Sequence, residues 1–174
     1  TGVLECDINL EISTRLKDLL NFLGMDTKMV RDSENSVYTK GDTIGAKKIS
    51  DLKNRVALIN GIENALLVSI HQNHFQDSKY HGAQVFYNDV PEGKSLAQTL
   101  QKSFIENLNP GSKRQIKKAS GIYLMENIDA PAVLIECGFL SNPEEEYLLR
   151  TGEYQKKICS VIACSISQYI NEAD

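Results

Sequence analysis

The sequence predicts an α/β fold, a mostly parallel twisted sheet with helices on both faces, built as a single domain. Three observations point there. Helical periods alternate with short apolar runs along the chain. Two of those runs, Ala65-Leu66-Leu67-Val68-Ser69-Ile70 and Ala132-Val133-Leu134-Ile135, lack the polar alternation of a half-exposed strand, as expected for strands buried on both faces. The 174 residues, 41% of them hydrophobic and 24% charged, suit one core of ordinary size.

Between Asp7 and Leu23 the residues Ile8, Ile12, Leu16, Leu19, Leu20 and Leu23 recur at three- and four-residue steps, the period of an amphipathic helix that Gly24 is placed to end. Thr27 to Val30 reads as a short strand and Ser33 to Lys48 as a polar surface loop. Ser50 is positioned to cap a helix carrying Leu52, Val56 and Ile59, closing near Gly61. The strand at Ala65–Ile70 runs directly into His71. Gln84 to Tyr87 forms another strand. Leu96, Ala97, Leu100, Phe104 and Leu108 mark a helix that Asn109-Pro110-Gly111 stops. Ile122 to Met125 reads as a short strand, and Ala132–Ile135 as a buried one ending in Glu136. Pro143 opens a brief acidic helix. Tyr154, Ile158, Val161, Ile162, Ile166 and Tyr169 line a long final one.

The composition narrows the function. A net charge of −4 argues against a general nucleic-acid binder, which presents a basic surface. The basic run Lys113-Arg114-Gln115-Ile116-Lys117-Lys118 is either a solvated loop or a contact for an anionic substrate. Cys6, Cys137, Cys159 and Cys164 show no CxxC pair and no zinc-finger spacing, and Cys159 and Cys164 look like small core residues. No apolar run approaches the ~20 residues a membrane span needs. The abrupt opening Thr1-Gly2-Val3-Leu4-Glu5, with no signal peptide in view, fits a chain from which an upstream segment is missing.

In a sheet of this type, reactive side chains gather at the carboxyl ends of the strands. His71 and Glu136 each follow a buried strand, so both are expected to point into one cleft. A carboxylate at the border of the core has a raised pKa, which suits a general base, although a strand-end glutamate can equally just reach solvent. Imidazole is a common neutral metal ligand, yet a single histidine is more often structural. His74 and His81 fall in the following loop. Glu5 sits where the positive end of a helix favours an anion, which by itself explains an acid there.

The segment Val133-Leu134-Ile135-Glu136-Cys137-Gly138-Phe139-Leu140-Ser141-Asn142-Pro143-Glu144-Glu145 closely resembles the most characteristic stretch of the zinc N-acetylmuramoyl-L-alanine amidases of the type 3 family. Glu5-Cys6-Asp7-Ile8-Asn9-Leu10, Leu52 with Arg55 and Asn60, Ser69-Ile70-His71-Gln72-Asn73, Gly82-Ala83-Gln84-Val85-Phe86-Tyr87 and Ile122-Tyr123-Leu124 match the family's other elements in order. The absence of a long insert after His71 is similar to the spore-cortex and germination members. The resemblance implies that Glu5 and His71 are zinc ligands, that Glu136 is the catalytic glutamate, and that Arg114, Lys117 and Asn73 contact substrate. It implies Zn2+ as cofactor and peptidoglycan as substrate, with cleavage between the lactyl group of muramic acid and L-alanine. It also implies an extracytoplasmic site of action in the wall, periplasm or spore cortex, and an accessory protein is an expected partner.

One feature departs from the family pattern. The hydrophobic strand that ends in the first ligand histidine has no counterpart here, so residues 1–174 are expected to be a catalytic domain whose N-terminal strand is missing from the sequence. With Glu5 and His71 alone, and His74 or His81 as poor substitutes, weak zinc binding is expected. Two other readings fit the same residues: a zinc peptidase acting on wall stem peptides, and a wall-binding relic without activity.

Overall fold

The computed structural model describes residues 4–31, 39 and 42–173. In chain order the elements are α1 (Glu5–Phe22), α2 (Ile44–Asn60), β1 (Leu67–Asn73), β2 (Gln84–Tyr87), α3 (Pro91–Asn107), β3 (Lys117–Lys118), α4 (Tyr123–Asn127), β4 (Ala132–Phe139), α5 (Pro143–Leu149) and α6 (Gly152–Ala173). The four strands among the described residues form one sheet in the order β1-β4-β2-β3. The β1–β4 and β2–β3 pairs are parallel and the β2–β4 pair is antiparallel. Two of the three pairings are parallel, but β2 and β3 run together against β1 and β4, so the sheet is mixed and fits the mostly parallel α/β expectation only roughly.

Side chains along a strand alternate between its two faces, and the packing follows that alternation. Ile70, Val85, Val133 and Ile135 meet Ile8, Ile12 and Leu16 of α1, Leu96, Leu100 and Phe104 of α3, and Ile158 and Ile162 of α6. Each of these apolar side chains contributes roughly 1.5–3 kcal/mol when fully buried. The opposite face is thinner. Leu67, Ala132 and Leu134 pack there with Ile59 of α2, Met125 of α4 and Ile128. On β4 the next residue on this thinner face after Leu134 is Glu136. The functional end of the sheet begins where that apolar layer stops.

Several local expectations change. Thr27 to Val30 is irregular chain rather than a strand. The expected loop from Ser33 to Lys48 lies outside the described residues at 33–38 and 40–41, and its last part is helical: α2 starts at Ile44, where the Thr43 hydroxyl accepts from the Ala46 amide at 3.1 Å. Thr43, not Ser50, is thus the cap. Ile122–Met125 is not a strand. Ile122 precedes the short helix α4, which buries Met125. The strands that carry His71 and Glu136 continue past them, to Asn73 and Phe139, so both residues lie within strands rather than just after them. Cys159 is buried as expected, whereas Cys164 is exposed, and all four cysteines are free thiols.

Among the described residues part of β2 has no strand partner on one side, because β3 pairs with Phe86 and Tyr87 alone. Buried polar side chains take the place of that neighbour. Gln101 accepts from the Val85 amide at 2.9 Å and donates to the Ala83 carbonyl at 3.2 Å, and Asn109 accepts from the Ala83 amide at 3.0 Å. Asn88 does the same for the start of β4, accepting from the Ala132 amide at 3.0 Å. Unpaired buried amides cost about as much as a lost hydrogen bond, so these side chains are structural necessities.

Candidate active site

Three residues distant in sequence meet at one end of the sheet. His71 and Glu136 are register partners on the adjacent strands β1 and β4, and side chains directly opposite share a face. Glu5, the first residue of α1, reaches β1. Its Oε1 accepts from His71 Nδ1 at 3.0 Å, from the Gln72 amide at 3.1 Å and from Asn9 Nδ2 at 3.0 Å. These bonds, led by the one to His71, hold the Glu5 carboxyl down at a pKa of about 2 against the opposing effect of burial. All three donors converge on Oε1, so the carboxylate and the Nδ1 edge of the imidazole face each other. Both residues are only partly covered, at 41% and 43% side-chain exposure, so the pair faces solvent and is open to a ligand.

Glu136 has the opposite environment. Burial raises its pKa, the nearby Glu5 charge adds to that rise, and His71 offsets part of it. Its Oε2 is buried without a hydrogen-bond partner. A buried carboxylate oxygen held without a partner costs free energy, and such a group is retained where it has work to do.

On the other side of Glu136 the row continues across the sheet. Gln84 is the register partner of Glu136 on β2. Its side-chain amide donates to the Gln115 carbonyl, and its Oε1 accepts from Arg114 Nη1 at 3.1 Å. Arg114 also donates from Nε to the His81 carbonyl at 2.9 Å, and its guanidinium lies 4.7 Å from the centre of the Phe139 ring. Arg114 is therefore a fixed cation beside the row, not part of a solvated loop. The expected companion, Lys117, is exposed on β3 opposite Phe86, and its neighbour Lys118 pairs with Asp89 at 2.8 Å. Asn73 ends β1, and its carbonyl accepts from the Leu140 amide at 2.8 Å. His74 is exposed, while the His81 ring is turned back to the Lys79 carbonyl at 3.0 Å. Neither joins Glu5 and His71.

Zinc accepts carboxylate oxygen and imidazole nitrogen, so the donor types of Glu5 and His71 fit it, and the partnerless Glu136 oxygen suits a base beside such an ion. The number is smaller than the usual set of three protein ligands. Among the described residues no group of three His, Cys, Asp or Glu side chains is placed to hold a metal ion.

Four polar residues of this end carried little signal in the sequence. Asn9 is the most legible, since it lies four residues after Glu5 on one helix face. Gln72, whose Nε2 donates to Asn9 Oδ1 at 3.2 Å, Gln84 and Glu145 act through partners far away along the chain.

A partly exposed carboxylate–imidazole pair thus stands beside a buried carboxylate on neighbouring strands of an α/β sheet. The chain belongs to the family of N-acetylmuramoyl-L-alanine amidases, whose model matches residues 1–168. It is 39% identical over 172 residues to the germination-specific N-acetylmuramoyl-L-alanine amidase of Bacillus subtilis, covering 98% of this chain and 72% of that one. Its fold matches the CwlD amidase of Clostridioides difficile, solved in complex with the GerS lipoprotein, with a TM-score of 0.93 and 36% identity over 98% of this chain and 88% of that one. The amidase AmiC2 of Nostoc punctiforme matches with a TM-score of 0.82 and 26% identity, over 98% of this chain and 86% of that one.

Proposed function

We propose that this protein hydrolyses the amide between the lactyl group of N-acetylmuramic acid and L-alanine of the stem peptide, and that it does so with zinc. The observation that carries the reading is the buried, partnerless Oε2 of Glu136 in register with His71. Glu5 and His71 would hold the metal with the carboxylate and the imidazole Nδ1, which already face each other at 3.0 Å. What zinc supplies when bound is Lewis acidity toward water and the scissile carbonyl. Glu136 takes the proton of the attacking water on Oε2, its basicity raised by burial, and returns it to the departing amine of L-alanine. The Arg114 guanidinium, held by Gln84, His81 and Phe139, offers its remaining N–H groups to an anionic part of the stem peptide. Lys117 and Asn73 would make outer contacts.

Digestion of purified peptidoglycan tests this. New α-amino groups on L-alanine beside intact lactyl ends are expected, lost with a chelator and restored by zinc. Glu136→Ala should abolish cleavage and leave sedimentation with the wall unchanged. New amino termini inside the stem would replace the proposal with a peptidase. A wild-type chain that binds wall but never cleaves it would replace the proposal with a wall-binding module.

The site of action under this proposal is extracytoplasmic, in the wall or spore cortex. No described helix is long and apolar enough to cross a membrane. The Clostridioides difficile relative was solved with a lipoprotein, which supports an accessory protein as partner for this chain also. If added zinc alone brings the purified chain to full activity, no such partner is required.

A further inference from the structure

We infer that Glu145 is a positioning residue of the active site, a buried carboxylate clamp that holds the segment bearing Arg114 and Gln84 against the strand bearing Glu136. The inference rests on the amidase reading for its catalytic consequence, but the clamp itself stands on geometry alone.

Glu145 lies in the first turn of α5, whose capping Asn142 accepts from the Glu145 amide at 3.1 Å. It is 8% exposed and forms no salt bridge among the described residues, although the Arg114 and His81 charges act on it from nearby. Instead its two oxygens each take one backbone amide. Oε1 accepts from Gly82 at 2.9 Å and Oε2 from Phe139 at 2.8 Å. Gly82 stands two residues before Gln84, and Phe139 three residues after Glu136. The clamp thereby joins the entry to β2 with the exit from β4, just beyond the register pair Gln84–Glu136. Two of the three groups that seat Arg114 adjoin it. His81, whose carbonyl holds Arg114 Nε, precedes Gly82, and the Phe139 ring lies under the guanidinium. Gly138 reflects the same closeness, because a Cβ there would stand 3.2 Å from the Glu145 carboxyl.

The chemistry of the clamp requires a carboxylate. Both oxygens act as acceptors, whereas a glutamine has one oxygen and an NH2 that would face a backbone N–H, donor against donor. Shortening by one methylene, as in Asp, leaves one amide out of reach. Side chains that orient a reacting group through a second layer of hydrogen bonds typically change rates by about 10–100-fold when removed.

The test compares Glu145→Gln with Glu146→Gln. Glu146 is the next residue on α5, similarly buried at 9%, but it faces Arg150 at 3.5 Å and no site residue. In hydrogen exchange, Glu145→Gln is expected to deprotect the amides of Gly82 and Phe139 by about 10-fold or more, and Glu146→Gln to leave them unchanged. On peptidoglycan, well below the melting temperature of either variant, Glu145→Gln is expected to lower kcat about 10–100-fold and Glu146→Gln less than about 2-fold. Unaltered protection at Gly82 and Phe139 overturns the clamp, whether or not the wild type cleaves the wall. Deprotection with kcat within about 2-fold of wild type overturns the positioning role. Failure of the amidase reading shows separately, as a wild type without turnover whose amides still respond to Glu145→Gln.

Discussion

Glu136→Gln is expected to make the protein more stable while it removes activity. The carboxylate is buried, one oxygen has no partner, and burial is the leading cause of its raised pKa. An unsatisfied buried polar group costs about 1–3 kcal/mol, more when charged. The glutamine keeps a polar head in the same space but sheds the charge, so a gain of about 1 kcal/mol at neutral pH is expected. For a chain of this length that is about 2–4 °C in Tm. The sign follows from linkage. A carboxyl whose folded-state pKa is raised binds its proton more tightly folded than unfolded, so its penalty is absent below the ordinary value of 4.5 and grows as the pH rises through the raised one. The advantage of the variant should therefore be widest near pH 7 and vanish toward pH 4. Thermal melts of both proteins in chelator, over that pH range, provide the assay. A variant less stable than wild type at pH 7, or an advantage that does not change with pH, would refute the assignment of Glu136 as a strained, desolvated base.

Glu5 behaves in the opposite sense. Its carboxyl is held at about 2 against an ordinary 4.5, so its stabilising effect is present above 4.5 and disappears as the pH falls through 2; exposure of 41% limits it to about 1 kcal/mol or less. Urea melts should show Glu5→Gln weaker than wild type at pH 7 and equal to it near pH 2. Arg114→Lys loses the fork that binds Gln84 and the His81 carbonyl together, and its KM for wall fragments should rise about 10-fold with kcat nearly unchanged. An unchanged KM would remove Arg114 from the substrate site. Gly93→Ala should destabilise by about 1–3 kcal/mol, because a Cβ there would collide with the Asn88 oxygen that accepts from the Ala132 amide. Denaturant melts of the variant check it, and a loss under 0.5 kcal/mol would show that Asn88 gives way freely.

Legibility in the sequence followed the hydrophobic signal. The strands β1 and β4 stand out because both faces are buried, and α1, α3 and α6 because their apolar periods face a deep core. Where burial is thin, the signal fails. The start of α2 is exposed from Ile44 to Ala46 and again at Lys48 and Ile49, so no apolar period revealed it and Ser50 looked like the cap. The run Ile122–Met125 is too short for period alone to separate strand from helix. β3 is two lysines with no pattern at all. For the site, strand ends and family resemblance led to Glu5, His71 and Glu136, which the fold brings side by side. Arg114 was in view as well, although not its stacking on Phe139. Gln84 and Glu145 were out of reach, because what defines each is a backbone group or side chain more than thirty residues away, and no local pattern records such a partner.

The reversed direction of β2 has a wider consequence. Since β1 and β4 finish where β2 begins, the chain leaving Asn73 needs only to turn across the mouth of the site to enter Gln84. Under the proposed function, that short bridge would form the rim of the catalytic opening. Extra residues placed in it would enlarge the wall around the scissile bond while leaving the two strands that carry the imidazole and the base undisturbed. Substrate preference in such a scaffold can therefore diverge through the length of one connection, with the chemical apparatus held constant beneath it.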